Sequence, residues 1–195
     1  MRKHFFLLPT ALFLSSCMFI FPYNTKFYSK LSREEQMKYK LFPLDSANQN
    51  NNEILSINSQ NFLSLINQDT INFKLLVFFT YWCPSSRAFL PNFVKQTNPD
   101  NLKVFYISPD DWVFKPSYLS YKTLLKLKSN IYLLDVNRYG RKKNPHYRMK
   151  KFIAEICNNC DDIKGFPSFI LFDKTNHILY KGTGAVTIDS LSKLM

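Results

Sequence analysis

Glycine is scarce in this chain: Gly140, Gly165, Gly182 and Gly184 are the four among 195 residues. Loops that cradle phosphate need glycines at fixed spacing so that backbone amides can approach the ligand, and neither G-x-G-x-x-G nor G-x-x-x-x-G-K-[ST] occurs. The familiar nucleotide-binding loops are excluded. Histidine is scarcer still. His4, His146 and His177 lie far apart, and none sits in H-E-x-x-H or in the spacing of a finger, which argues against a zinc hydrolase, a finger and histidine-based catalysis. No metal or other cofactor is expected. Acidic residues are also few, 14 Asp and Glu against 26 Lys and Arg, and the resulting +12 predicts attraction to anionic surfaces without choosing among them. The densest cationic run, Arg138, Arg141, Lys142, Lys143, Arg148, Lys150 and Lys151, reads as a solvated loop and helix face, and no nucleic acid is expected as a partner.

The chain is rich in what builds a core: 46% of residues are hydrophobic and 21% charged, which suits one packed domain with appendages. Arg2, Lys3 and His4 precede an apolar stretch from Phe5 to Leu14, the layout of a secretory signal. Its end, Leu14-Ser15-Ser16-Cys17, resembles the bacterial lipobox, which implies cleavage after residue 16 and lipidation of Cys17. Two fatty chains on one residue would make membrane attachment stable. An uncleaved signal anchor over Phe5 to Pro22 and a plain secreted protein are the alternatives. All three send the remainder to a compartment where disulfides persist.

Residues 17–52 lack clear periodicity apart from a short helix candidate capped by Ser32, and they end in Asn48-Gln49-Asn50-Asn51-Asn52. A polar run of this kind cannot bury a core, so the segment reads as a tether and the domain as 53–195. Within the domain, Phe62, Leu65 and Ile66 recur at helical spacing, and Leu75 to Phe79 is a continuous apolar run expected of a strand buried on both faces. A second such strand spans Leu102 to Ile107, with a helix over Ser86 to Gln96 between them, which implies a parallel pair. Ser117 to Lys128 and Pro145 to Ile156 read as helices, and Ile131 to Leu134 as a short strand or buried link. Ser168 to Phe172 and His177 to Lys181 flank a turn at Asp173 to Asn176, and a last helix starts at Asp189.

Chemistry concentrates where the first long strand turns into a helix, in Phe78-Phe79-Thr80-Tyr81-Trp82-Cys83-Pro84-Ser85-Ser86-Arg87. The amino end of a helix stabilises negative charge through its free amides and dipole, so a thiol there is biased toward the nucleophilic thiolate. Cys83 is the candidate nucleophile; an inert buried cysteine is the alternative.

This run resembles the active-site segment of the thioredoxin family, with Trp82 and Cys83 in place, Pro84 and Ser85 between the motif positions, Ser86 at the second cysteine, Arg87 in the basic slot and Pro91 where those helices kink. Gly165-Phe166-Pro167-Ser168 resembles the loop whose cis-proline faces the active cysteine and helps hold substrate, and Gly184-Ala185 also falls where the family has it. The resemblance covers residues 53–195 with about 30 extra residues between Ile107 and Pro145. It implies an α/β, three-layer fold, a central mixed sheet flanked by helices, with an insertion before the penultimate helix. It also implies action on protein or small-molecule disulfides. The departures matter: Ser86 cannot attack a mixed disulfide as a second cysteine does, and Val77 stands where many members carry a buried acid. A monothiol oxidoreductase or isomerase is therefore expected, with a redox-inactive binding module as the competing class.

Thr80-x-x-Cys83 also echoes part of the peroxiredoxin signature, which leaves thiol peroxidase as a minor alternative. Cys157-Asn158-Asn159-Cys160 precedes the proline loop. An oxidising compartment favours a local disulfide there; a second redox pair, a resolver for Cys83 and half of a metal site are the alternatives. Together these readings place a lipoprotein in a bacterial cell envelope, attached to the membrane through Cys17 and facing the periplasm.

Overall fold

The computed structural model describes residues 54–97, 101–141 and 143–195, with Ser32 and Glu34. The signal peptide, Cys17 and nearly all of the tether lie outside the described residues. In chain order the elements are β1 (Ile54–Ile57), α1 (Ser59–Gln68), β2 (Phe73–Phe78), α2 (Pro84–Gln96), β3 (Leu102–Ser108), a 3-10 turn (Trp112–Phe114), α3 (Lys115–Leu124), β4 (Ile131–Leu134), α4 (Val136–Tyr139), α5 (Pro145–Ile156), β5 (Ser168–Phe172), β6 (Ile178–Thr183) and α6 (Ile188–Ser192).

The six strands form one sheet in the order β1-β4-β3-β2-β5-β6. β1, β4, β3 and β2 run parallel, and β5 and β6 are antiparallel additions, so the sheet is mixed as expected. Successive strand residues face opposite sides, and each side is apolar. Leu55, Leu76, Phe78, Phe105, Ile107, Ile170 and Phe172 pack against Phe62 and Ile66 of α1 and Phe152 and Ile153 of α5. Ile54, Leu75, Val77, Tyr106, Leu133, Phe169 and Leu171 pack on the other side with Leu90 and Phe93 of α2, Tyr118 and Tyr121 of α3 and Leu191 of α6. Helices on both sides of the sheet complete the three layers. Each fully buried Phe, Leu or Ile contributes about 1.5–3 kcal/mol through removal of apolar surface from water.

Ile131–Leu134 is the short strand offered as one of its two readings, seated between β1 and β3, with Ile131 opposite Tyr106 of β3 and Ile54 of β1. Two readings need correction. The helix expected over Ser117 to Lys128 runs instead from Lys115 to Leu124; Pro116 starts it early, and Lys126, with φ 52°, lies beyond its end. The basic run is not wholly solvated, because Arg148 is completely buried: its Nε donates to the carbonyl of Pro109 at 2.6 Å and its Nη1 to that of Lys143 at 2.6 Å. A guanidinium can be buried where backbone carbonyls absorb its donors. No helix among the described residues is long and apolar enough to cross a membrane.

Candidate active site

Cys83 is the N-cap residue of α2. Pro84 starts the helix because it has no amide to satisfy and its φ is already helical. The Cys83 carbonyl accepts from Arg87 N at 3.0 Å, while its side chain caps nothing, which leaves the sulfur at the positive end of the helix. Antiparallel pairing of β2 with β5 sets Phe78 opposite Ser168, so the loop entering β5 arrives beside the chain leaving β2. That loop holds the cis peptide bond Phe166–Pro167, and the carbonyl oxygen of Phe166 lies 3.7 Å from Cys83 Sγ. Gly165, at φ +93°, makes the turn into it. Gly184 N donates to Pro167 O at 2.9 Å and ties the loop to the end of β6.

Cys83 is 0% exposed and disulfide-bonded. Cys157 and Cys160 are bonded to each other, with Cα atoms 5.8 Å apart. They join the same apolar cluster as Cys83 and Phe166. Pro84 and Ser85 are exposed; Ser86 is completely buried, and its hydroxyl has no hydrogen-bond partner, as is also true of Thr80. Trp82 is half-buried and meets the Phe166 ring edge-on, with centroids 6.4 Å apart. The His146 ring also packs against that of Phe166, with centroids 4.8 Å apart.

Sequence reasoning missed the polar half of the site. β2 and β3 are parallel neighbours with Phe78 opposite Ile107, so the chain leaving β3 reaches the motif loop. Asp110 lies there, fully buried, and both its oxygens accept from Trp82 Nε1, at 3.0 and 3.1 Å. Tyr118 of α3 donates to Asp110 Oδ2 at 2.5 Å. Burial pushes the Asp110 carboxyl up to about 6, against the hydrogen bonds from Tyr118 and Trp82 and the charge of Arg148, which all favour ionisation. Burial also raises Tyr118 well above the usual phenol range, and the Asp110 charge adds to it. The available signal was Asp110-Asp111 in a chain poor in acid, at the carboxyl end of a parallel strand, where open α/β sheets build their sites.

No family model matches the chain, and no curated protein matches it. Solved structures do. StoA from Bacillus subtilis is 18% identical, with 65% of this chain and 84% of that one covered and a TM-score of 0.45. The thioredoxin domain of a thiol-disulfide oxidoreductase from Bacteroides vulgatus is 20% identical over 64% and 79%, with a TM-score of 0.48. A thiol-disulfide isomerase from Corynebacterium glutamicum is 20% identical over 66% and 81%, with a TM-score of 0.49.

Proposed function

We propose that the protein is a monothiol thiol-disulfide oxidoreductase or isomerase, anchored in the cell envelope through Cys17, with Cys83 as its nucleophile. The observation that carries the reading is the position of the Cys83 sulfur, at the amino end of α2 and 3.7 Å from the Phe166 carbonyl of the cis-proline loop. In the reduced protein the Cys83 thiolate attacks one sulfur of a substrate disulfide. The substrate S–S bond breaks, a Cys83–substrate mixed disulfide forms, and the departing sulfur leaves as a thiolate that takes a proton from water. Ser86 offers no thiol for the second step, so a second thiolate of the substrate or a small external thiol attacks the mixed disulfide and restores Cys83.

Phe166 and Pro167 hold the substrate backbone in this reading, and the half-buried Trp82 provides an apolar wall beside it. Because the sulfur has no exposed surface, the substrate must gain access by displacing what covers it. Lipidation of Cys17 would place that residue's own sulfur in a thioether and remove it from disulfide exchange.

The test is the isomerisation of a scrambled-disulfide protein in a glutathione buffer. The wild type accelerates recovery of the native disulfides, and Cys83→Ser falls to the uncatalysed rate. Equal rates for the two proteins would leave a docking role and remove the enzymatic one. Mass analysis of the mature protein tests the anchor: residues 1–16 absent and lipid on Cys17 support it, whereas an intact Met1 in the membrane fraction contradicts it.

A further inference from the structure

The insertion between β3 and α5 does more than widen the sheet: its helix α3 sends one side chain to the motif. Tyr118 is completely buried, and its hydroxyl is fully used. It donates to Asp110 Oδ2 at 2.5 Å and lies 2.5 Å from Ser108 Oγ, and it accepts from the backbone N–H of Tyr81 at 3.3 Å. A phenol has one proton and two lone pairs, so with Asp110 as acceptor the Ser108 hydroxyl must be the donor. Ser108 Oγ in turn accepts from Asp110 N at 3.2 Å, which closes a ring of hydrogen bonds around the end of β3. Tyr81 and Trp82 are consecutive motif residues, and both are held by this ring, one through its amide and one through its indole. The ring of Tyr81 also packs on that of Tyr118 at 5.2 Å and on Phe114 at 5.7 Å, both from the insertion.

We propose that Tyr118 is a positioning residue for the Cys83 site, holding Asp110 in the orientation that fixes the Trp82 indole against Phe166. The inference rests on the function proposed for Cys83, but its main readout does not depend on activity. Every group directed at the Asp110 oxygens is a donor, so the wiring fits the carboxylate, and a proton on the acid would displace one of those donors. The charged and titratable groups around Asp110 are Tyr118 from α3, Arg148 from α5 and its neighbour Asp111. Loss of the Tyr118 hydroxyl removes a hydrogen bond that stabilises the charged form and leaves the buried acid held by Trp82 and Arg148 alone.

The experiment follows the indole N–H signal of Trp82 in ¹⁵N-labelled full-length protein as pH is varied, assigned by its disappearance in Trp82→Phe. In the wild type this signal titrates with a midpoint near the value of about 6 that burial gives Asp110. In Tyr118→Phe the midpoint rises by about one to two pH units, as expected when a charged group loses a hydrogen bond. The rate at which the Cys83 peptide of the reduced protein is alkylated falls severalfold in the same variant. Tyr121→Phe is the control, because that hydroxyl, also buried on α3, has no hydrogen-bond partner, and neither readout moves. An unchanged indole midpoint in a Tyr118→Phe protein with native near-ultraviolet dichroism overturns the proposal. So does an equal shift in Tyr121→Phe. A shifted midpoint alongside an inactive Cys83 in the isomerase assay would refute the enzymatic reading and leave the positioning of Trp82 intact.

Discussion

The two cysteine sites occupy opposite ends of helices. Cys83 caps the start of α2, where unpaired amides and the helix dipole favour a thiolate; Cys157 caps the end of α5, where carbonyl oxygens disfavour one. The surroundings differ in the same direction. Around Cys83 are the Phe166 carbonyl, two unpartnered hydroxyls, Thr80 and Ser86, and the Trp82–Asp110–Tyr118 network nearby. Cys157 and Cys160 close on each other over three residues, and Ile163 N donates to Cys160 O at 3.2 Å, so the disulfide anchors the segment leading to the cis-proline loop. On the proposed function the same atom is a reagent at one helix end and a clasp at the other, and helix polarity is the physical reason for the difference.

That contrast can be broken in several ways. The largest effect belongs to Cys83→Ser, which should take scrambled-disulfide isomerisation to background, while a Cys157→Ser, Cys160→Ser double variant should keep activity within about threefold, since the proposed mechanism does not use the pair. Next is the acid beside the motif. Asp110 binds its proton more tightly in the folded state, with a value of about 6 against the ordinary carboxylate value of 3.8. The folded protein therefore carries the extra proton between those values, and wild-type stability declines relative to Asp110→Asn as pH rises from about 4 to 7, by about 2–3 kcal/mol in urea unfolding. A difference that grows in the other direction would reverse the assignment. Removal of the local disulfide comes third: a loop this short costs about 2 kcal/mol on the chain-entropy account, read as a lower thermal midpoint of the double variant. The smallest effect is a gain. Ser86→Cys supplies an intramolecular resolver one helical turn from Cys83 and should raise reductase turnover severalfold; an unchanged rate would mean that access to the buried sulfur limits the reaction.

The parts of the site carried by local pattern were legible in the sequence. Pro145–Ile156 reads as a helix because Asn144 caps it, accepting from Tyr147 N at 2.8 Å, and Pro145 occupies its first turn. β2, β3 and β5 are apolar runs long enough to announce buried strands, and the motif around Cys83 sits in one of the two strand-to-helix turns such runs imply. The rest depends on register. β1 is four residues after a polar tract, too short for a periodicity to show, and it becomes a strand because β4 pairs with it. Asp110 and Trp82 are 28 residues apart and meet because β2 and β3 are parallel and end together. Arg148 looks like one more cation of a basic helix; only the approach of Pro109 and Lys143 shows that carbonyls absorb its donors.

The most direct test of the central claim is to reduce the full-length protein, expose it briefly to a small alkylating agent at about pH 6, and read modification peptide by peptide. Cys83 should be modified at least about tenfold faster than Cys157 or Cys160, as a thiol at a helix start should outrun one at a helix end. If Cys157 or Cys160 reacts as fast as Cys83 or faster, the assignment of reagent and clasp is contradicted.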